Sequence, residues 1–422
     1  MLIALLFACK APDDSAPLDS DPPPEWDGAV PVPSSGSYGS YTFPVSAQEN
    51  WLNTGLYLHA GETAEVIASG TWTVGDRTVG PEGDASLGEE RGCPIGALAV
   101  RSGLRFEEPI TCVGAAGTFT APSDDIVYIG MIESTDLGEA YGERLDLGGS
   151  LEVTLSSEGE TVPTVSAELL DSYDFSAVQS GWVELRSAHH IVTIEAAEVI
   201  ADLDVAAASL ATLDAIYEVE AALRGMTPYS DQRVRWYPDA TISSFAYMLA
   251  GNPTRCDPGL MNGFASQRIL RASEGPTDIW GFSHELGHSF SFANGAWAYQ
   301  YLNLESWPNI FTLHALRDLD RTADQPNVDT YCDGREAYLA GGDYETLRDD
   351  PFVQLCFLMD FEETYGSAFY PNFFAGMNTQ SNADLPYDGT DQSIWRYLRD
   401  RFNLAAGQDT TPLFETWRVP LE

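Results

Sequence analysis

The sequence predicts two folded domains of different class, an all-β sandwich followed by a helix-dominated α+β domain. Residues 37–157 contain short runs of β-branched and aromatic side chains that alternate with Gly, Pro and Asp turns, which is typical of strands. In residues 204–223 apolar side chains recur at three- and four-residue spacing, which predicts an amphipathic helix. A chain of 422 residues is long enough for two such domains.

The boundary between the two predicted domains lies in residues 156–163, SSEGETVP, a polar segment that is typical of a linker. The β domain is therefore placed at residues 37–157 and the second domain at residues 164–422. The second domain is expected to contain two short strands, around residues 182–185 and 191–194. Its further helices are predicted around residues 280–290, 305–316, 352–365 and 392–402.

Residues 1–36 are predicted to export and tether the protein. Leu6-Phe7-Ala8-Cys9 fits a bacterial lipoprotein cleavage site, where Cys9 is acylated, and the following residues 11–26 are rich in Pro, Asp and Ser, as expected of a solvated tether. The apolar run is short and no basic residue precedes it, so either the true start lies upstream or the signal is degenerate. We expect a cell-surface or outer-membrane lipoprotein, or a secreted protein, whose one membrane contact is the lipid anchor.

The chain is strongly acidic, with 64 acidic and 21 basic residues and a formal net charge of -43. Nucleic acid is excluded as a partner because phosphate recognition needs a basic face. Lys10 is the only lysine of the sequence. This charge and the scarcity of lysine indicate a solubility or salt adaptation or codon bias, or, as a functional alternative, the attraction of calcium or the avoidance of anionic surfaces.

Five cysteines follow Cys9, and an exported chain permits disulfides. Cys93 and Cys112 lie in one segment and are expected to pair, and Cys256 with Cys332 is the second expected pair. Cys356 lies in an apolar helical run and is expected to be a buried free thiol. The absence of a CxxC pair argues against a thiolate metal site.

A metal-binding motif lies in residues 279–290, IWGFSHELGHSF. His284 and His288 are four residues apart, so on a helix both imidazoles point the same way and can bind one zinc ion. Glu285 borders the same site and can take a proton from a zinc-bound water. Such five-residue patterns also arise by chance on structural helices, but Glu305 supplies a third ligand. Two His and one Glu leave a fourth position open for water, which is the arrangement of catalytic zinc.

Residues 279–290 together with residues 305–316, ESWPNIFTLHAL, resemble the enhancin-like zinc peptidases, peptidase family M60. The family pattern is HExxH, a spacer, a Glu and an Asn four residues later, which Glu305 and Asn309 match. The resemblance spans residues 165–405 and implies a gluzincin metallopeptidase that attacks mucins and other O-glycosylated proteins. It also implies zinc bound by His284, His288 and Glu305, with Glu285 as general base toward water and then proton donor to the leaving amine.

An oxyanion-stabilising side chain is also expected in such a peptidase. Tyr247, Tyr299 and Tyr301 are the candidates, and the sequence does not choose among them or distinguish them from ordinary core tyrosines. His189, His190 and His314 are expected not to bind metal, with a contact from His314 to a metal ligand as the alternative for that residue.

The β domain is similar to the calcium-dependent galactose-binding lectin of Pseudomonas, the PA-I type. The similarity is carried by residues 53–58, 68–72, 80–84, 96–98, 117–119 and 136–142. It implies a jelly-roll-like sandwich in which calcium bridges protein and sugar, with Asp136 as the shared calcium and sugar carboxylate and Glu143 at an amide-ligand position. Arg144 and Leu87 depart from the family pattern, and a β domain that serves as a spacer is the alternative.

A non-catalytic glycan-binding surface adhesin is the alternative function for the whole chain. In that case the peptidase fold would serve as a scaffold. Glu285 argues against this alternative, because a scaffold that binds metal for stability does not require a general base.

Overall fold

The fold has two parts, a sheet-rich N-terminal region and a helix-rich second region. The computed structural model describes residues 29–106, 108–133, 147–201, 203–229, 232–259, 279–292, 303–319, 332, 334–380 and 388–421. The predicted sites at Cys9, Asp136 and Glu143 lie outside these residues, as do Arg144, Tyr299 and Tyr301.

Eleven strands are described in the N-terminal region. They are β1 (Ser37–Ser46), β2 (Leu52–Leu58), β3 (Thr63–Val74), β4 (Arg77–Val79), β5 (Glu89–Glu90), β6 (Cys93–Pro94), β7 (Leu98–Ser102), β8 (Thr111–Cys112), β9 (Ala116–Thr120), β10 (Asp125–Met131) and β11 (Leu147–Thr161). Nine form one branched sheet in the order β4-β3-β11-β2-β10-β7-β8, in which β1 also pairs with β11 and β9 with β3.

The long strand β11 connects the two branches of this sheet. It pairs with β1 and β3 along most of its length and with β2 near its end, at Thr161. Buried side chains from both branches meet in one core, for example Trp72 of β3, Val127 of β10 and Leu151 of β11. The prediction of an all-β N-terminal region is confirmed, whereas the lectin-like jelly roll stays a prediction.

The predicted linker at residues 156–163 is wrong as regards its structure, because β11 continues to Thr161. The segment has the composition of a linker because its polar side chains lie on the outward face of the strand. Gly159 and Thr161, in contrast, are buried. Only two residues separate β11 from the first strand of the second region.

The second region begins with a six-stranded mixed sheet. Its strands are β12 (Thr164–Ser166), β13 (Trp182–Arg186), β14 (His190–Glu195), β15 (Val234–Pro238), β16 (Met248–Leu249) and β17 (Thr254–Cys256), in the order β12-β13-β14-β15-β17-β16. Strands β13 and β14 confirm the two predicted strands. Strand β16 lies at the end of the sheet and pairs antiparallel with β17.

Helices build most of the remaining second region. Those described are α1 (Ala196–Ala201), α2 (Leu203–Arg224), α3 (Trp280–Phe292), α4 (Ser306–Asp318), α5 (Gly334–Gly341), α6 (Tyr344–Asp349), α7 (Pro351–Tyr365), α8 (Phe369–Met377), α9 (Asp391–Ala406) and α10 (Thr411–Thr416). The predicted helices correspond to α2, α3, α4, α7 and α9. No helix among the described residues is long and apolar enough to cross a membrane.

The disulfides agree with the sequence prediction in one pair and differ in the other. Cys93 and Cys112 are bonded, as predicted. The predicted Cys256–Cys332 pair is wrong, because Cys332 is bonded to Cys356, with 5.3 Å between their Cα atoms. Cys256 is instead the buried free thiol, at the end of β17 inside the sheet. Helix α7 thus places Cys356 beside Cys332, so the prediction of a free Cys356 is wrong as well.

A candidate metal centre between two helices

Helix α3 presents the motif histidines on one face because its opposite face is apolar and buried. Phe282, Leu286 and Phe290 are at most 4% exposed and belong to the main core of the second region. The imidazoles of His284 and His288 therefore point away from that core, with ring centroids 4.8 Å apart and ring planes perpendicular. This is the arrangement that a spacing of four residues on a helix predicts.

Glu305 reaches the two histidines from the start of α4. Its Oε2 lies 3.0 Å from Nε2 of His284 and 3.5 Å from Nε2 of His288. Ligand atoms of the three side chains lie within 4.8 Å of one another, and no other group of His, Cys, Asp and Glu in the described chain is placed to hold a metal ion. Two imidazoles and one carboxylate fit zinc, because they are its usual nitrogen and oxygen ligands and leave a position open.

The two helices approach closely because Gly287 of α3 has no side chain. A Cβ atom at this position would lie 2.8 Å from the carbonyl oxygen of Pro308 and 3.2 Å from Cβ of Phe311, both on α4. The neighbouring motif residues His284 and His288 are therefore brought near the N-terminal end of α4. The glycine inside the motif sets the distance at which Glu305 meets the histidines.

Asn309 fixes the orientation of His284. The amide Oδ1 of Asn309 lies 2.7 Å from Nδ1 of His284, and its Nδ2 donates to the carbonyl oxygen of Glu305 at 2.8 Å. Because Nδ2 is used as a donor there, Oδ1 accepts from Nδ1–H of His284, so Nε2 is the nitrogen that faces Glu305 and would bind the metal. The sequence identified Asn309 only as a match to a family pattern, and its contact gives it a physical role.

The electrostatics of the site follow from burial and close charges. Glu285 is 8% exposed, and burial raises its pKa even though the charges of His288 and His284 act in the opposite direction. Hydrogen bonds with His284 and His288 hold the pKa of Glu305 well below its usual range. Burial lowers the pKa of His284, but its hydrogen bond with Glu305 and the charge of Glu285 outweigh this, so the net shift is upward. A carboxylate with a raised pKa suits proton transfer near neutral pH.

Two polar contacts behind the motif hold α3 in place. The hydroxyl of Ser283 donates to the buried carboxyl of Glu220 on α2 at 2.5 Å, and Tyr229 donates to the hydroxyl of Ser289 at 2.7 Å. Burial raises the pKa of Glu220 well above its usual value. The uncharged residues next to the histidines therefore have partners, and the helix is anchored on the side away from the metal position.

The structure places one of the three candidate oxyanion residues. Tyr247 directly precedes β16, and its side chain is 57% exposed. Its Cε2 lies 3.4 Å from the position that a Cβ at Gly281 would take, so the ring borders the first turn of α3. Sequence reasoning overlooked Glu220, whose buried carboxyl accepts from Ser283 of α3, because the two residues are 63 positions apart in the sequence.

The family model for peptidase M60, enhancin and enhancin-like proteins matches residues 174–418, which is more than half of the chain. The chain belongs to this family. The matched M60 region contains the two helices that carry the candidate metal centre, and the prediction of an enhancin-like metallopeptidase is confirmed at this level. Among curated proteins, no sequence matches significantly.

Solved structures with the same fold include members described as metallopeptidases. A conserved protein of unknown function from Bacillus anthracis superposes with a TM-score of 0.61 at 16% identity, over 90% of this chain and 75% of that chain. The ZmpB metallopeptidase of Clostridium perfringens gives 0.55 at 15% identity, over 88% and 73%. A metallopeptidase in complex with Tn antigen gives 0.56 at 13% identity, over 91% and 71%. At these low sequence identities the similarity establishes the fold of this chain, including its two-part architecture.

Proposed function

We propose that the protein is an exported zinc metalloendopeptidase that hydrolyses peptide bonds in glycoproteins. The observation that carries the proposal is the convergence of His284, His288 and Glu305 within 4.8 Å beside the buried carboxylate of Glu285. A structural metal site needs four closed ligands and no adjacent base, whereas three ligands and a neighbouring Glu are the requirement of hydrolysis.

The mechanism assigns one task to each of these side chains. A bound zinc ion would polarise the scissile carbonyl and lower the pKa of the attacking water. Glu285 takes a proton from that water as its oxygen bonds to the carbonyl carbon, and delivers the proton to the amine nitrogen as the C–N bond breaks. Asn309 keeps Nε2 of His284 directed at the metal.

Mucin-like O-glycosylated proteins are the proposed substrates. The family resemblance and the fold neighbour in complex with Tn antigen support this choice. The net charge of -43 creates a long-range field that repels polyanions. Short neutral O-glycans are therefore proposed as preferred over sialylated ones.

The N-terminal region is proposed to be a lectin-like module that binds carbohydrate through calcium at Asp136 and Glu143. Oxygen ligands of this kind are what calcium requires. The chain is further proposed to be a lipoprotein anchored at Cys9 on the cell surface or outer membrane. The Pro, Asp and Ser content of residues 11–26 supports a tether between anchor and folded region.

Glycopeptide digestion followed by mass spectrometry tests the peptidase proposal. The wild type is compared with Glu285→Gln, with a chelated sample, and with Glu415→Gln, which alters an exposed carboxylate on α10. We expect Glu285→Gln to retain one zinc per chain and to lose at least about a thousandfold in kcat, because the base is removed while the ligands remain. Glu415→Gln should match the wild type.

The proposal is wrong if the wild type with stoichiometric zinc cleaves neither glycosylated nor plain peptides. Cleavage of plain peptides alone would retain the peptidase and overturn the glycoprotein preference. The alternative adhesin is supported by calcium-dependent glycan binding without any cleavage. Binding that persists in Asp136→Ala would contradict the calcium role assigned to that residue.

A further inference from the structure

The hairpin formed by β16 and β17, residues 248–256, packs against the first turn of α3, the helix that carries the candidate general base. A Cβ at Gly281 would lie 2.4 Å from Cε of Met248, so the hairpin and the helix are in close contact. Gly281 lies about one helical turn before Glu285, so the position of this hairpin helps to fix the helix that carries Glu285.

The turn of the hairpin is hydrogen-bonded to the N-terminal region through Asn252. The side-chain amide of Asn50, in the segment before β2, donates to the carbonyl oxygen of Asn252. Asn252 is 3% exposed, and its own side chain accepts from the N–H of Arg235 at 2.9 Å and donates to the carbonyl oxygen of Arg233 at 3.0 Å. The turn is thus bound to the central sheet on one side and to Asn50 on the other.

Strand β17 is fastened to the N-terminal region by a second set of contacts. Nε of Arg255 donates to the carbonyl oxygen of Leu104 at 2.7 Å, and its guanidinium lies 5.7 Å from the ring centre of Phe106. The N–H of Phe106 donates to Asp239, which follows β15, at 2.7 Å. Arg255 is the register partner of Leu249 on β16. The contacts of Arg255 with the N-terminal region therefore hold the strand that pairs with β16.

The N-terminal contacts come from a tightly packed part of that region. A Cβ at Gly130 of β10 would lie 2.7 Å from the carbonyl oxygen of Asn50 and 3.1 Å from the Trp51 ring. The carbonyl oxygen of Trp51 also accepts from Arg235 at 3.4 Å. Asn50 is therefore held against β10 and can act as a fixed point for the hairpin.

We propose that the N-terminal region is part of the catalytic unit, with Asn50 and Phe106 as positioning residues that hold the β16–β17 hairpin against the first turn of α3 and thereby position Glu285. Neither side chain reaches the metal ligands in the contacts described; both act through the hairpin. The catalytic consequence rests on the proposed function, in which Glu285 is the base. The structural part of the proposal, that the N-terminal region keeps the hairpin ordered, does not depend on the proposed function.

Hydrogen exchange by mass spectrometry and steady-state kinetics test the proposal on the full chain. Asn50→Ala is compared with Gln48→Ala, an exposed amide two residues away, and with Phe106→Ala, whose half-exposed ring can be removed at low risk to folding. For Asn50→Ala we expect faster exchange in residues 248–256 with unchanged exchange in α4. We also expect about a tenfold lower kcat with KM nearly unchanged and zinc content retained, because the base is less well oriented.

Unchanged exchange in residues 248–256 in both Asn50→Ala and Phe106→Ala would overturn the proposal. Faster exchange in this hairpin with no fall in kcat would overturn the positioning role. Should the wild type hydrolyse nothing, the proposed peptidase fails, and the exchange data still decide whether the N-terminal region orders the hairpin. A general loss of protection in Asn50→Ala, with Phe106→Ala showing the local effect alone, supports the proposal through the second variant.

Discussion

At the scale of single residues, the site separates into a part that sequence spacing determines and a part that only contacts reveal. His284, Glu285 and His288 could be predicted because a spacing of four residues places side chains on one helical face. The contact between Ser283 and Glu220 could not, since the two residues are 63 positions apart in the sequence. The Cys332–Cys356 pair was likewise hidden, because pairing depends on which helices meet in space.

The prediction at this scale concerns the effect of Asn309 on zinc affinity. Asn309→Ala removes the acceptor for Nδ1–H of His284, and we expect the zinc dissociation constant to rise about 10- to 100-fold, as for other residues that orient metal-binding histidines. Competition with a chromophoric chelator measures this constant. Asn372→Ala on α8, whose amide donates to the carbonyl oxygen of Ala405 far from the metal ligands in sequence, is the control. Equal zinc affinity in Asn309→Ala and wild type would remove Asn309 from the site.

At the scale of elements, the long amphipathic helices were predictable, whereas short buried pieces were not. Helices α2 and α9 show the three- and four-residue periodicity over several turns. Strands β16 and β17 have two and three residues and no room for an alternating pattern, although they border the site. The polar end of β11 resembles a linker in sequence for a related reason, because one face of a strand can be polar throughout.

Gly287→Ala tests the contact between α3 and α4. Alanine is favoured over glycine inside a helix by about 1 kcal/mol, so without the close contact the change would stabilise the protein. The backbone of Pro308 stands 2.8 Å from the new Cβ and cannot rotate away, so we expect a lower melting temperature and weaker zinc binding. Calorimetry and chelator competition measure both effects.

Gly376→Ala is the matched control for that substitution. Gly376 lies in α8, and a Cβ there meets nothing within 4 Å, so this variant should melt at or above the wild-type temperature. A Gly287→Ala protein with the same gain in stability and full zinc affinity would show that the distance between the helices is not set by the glycine.

At the scale of the whole molecule, the change in sequence character at residue 164 predicted two parts, but it did not predict how firmly they are joined. The side chain of Glu184 on β13 pairs with Arg235 and accepts from Tyr128 of β10 at 3.2 Å. Arg235 also lies 5.3 Å from the ring centre of Tyr128. These residues are far apart in sequence, and none of them belongs to a recognisable local motif. No local sequence pattern therefore predicts the junction between the two regions.

Glu184→Gln tests this buried junction. The substitution removes the carboxylate that pairs with the buried Arg235 guanidinium, and we expect the free energy of unfolding to fall by about 3 kcal/mol. Glu195→Gln, on the exposed end of β14, should change it by less than about 0.5 kcal/mol. Urea denaturation followed by tryptophan fluorescence measures both. Equal stability of the two variants would mean that the junction contributes little to the fold.

The attachment of Asn50 to Asn252 also limits how such a chain can be recombined in evolution. A gene fusion that replaces the N-terminal region at the junction near residue 162 would keep every candidate metal ligand and lose the donor that holds the turn at residues 250–253. Residues 50 and 104–106 should therefore be inherited together with residues 248–256. Domain shuffling is consequently expected to add modules outside this pair of regions and not to exchange one member of it.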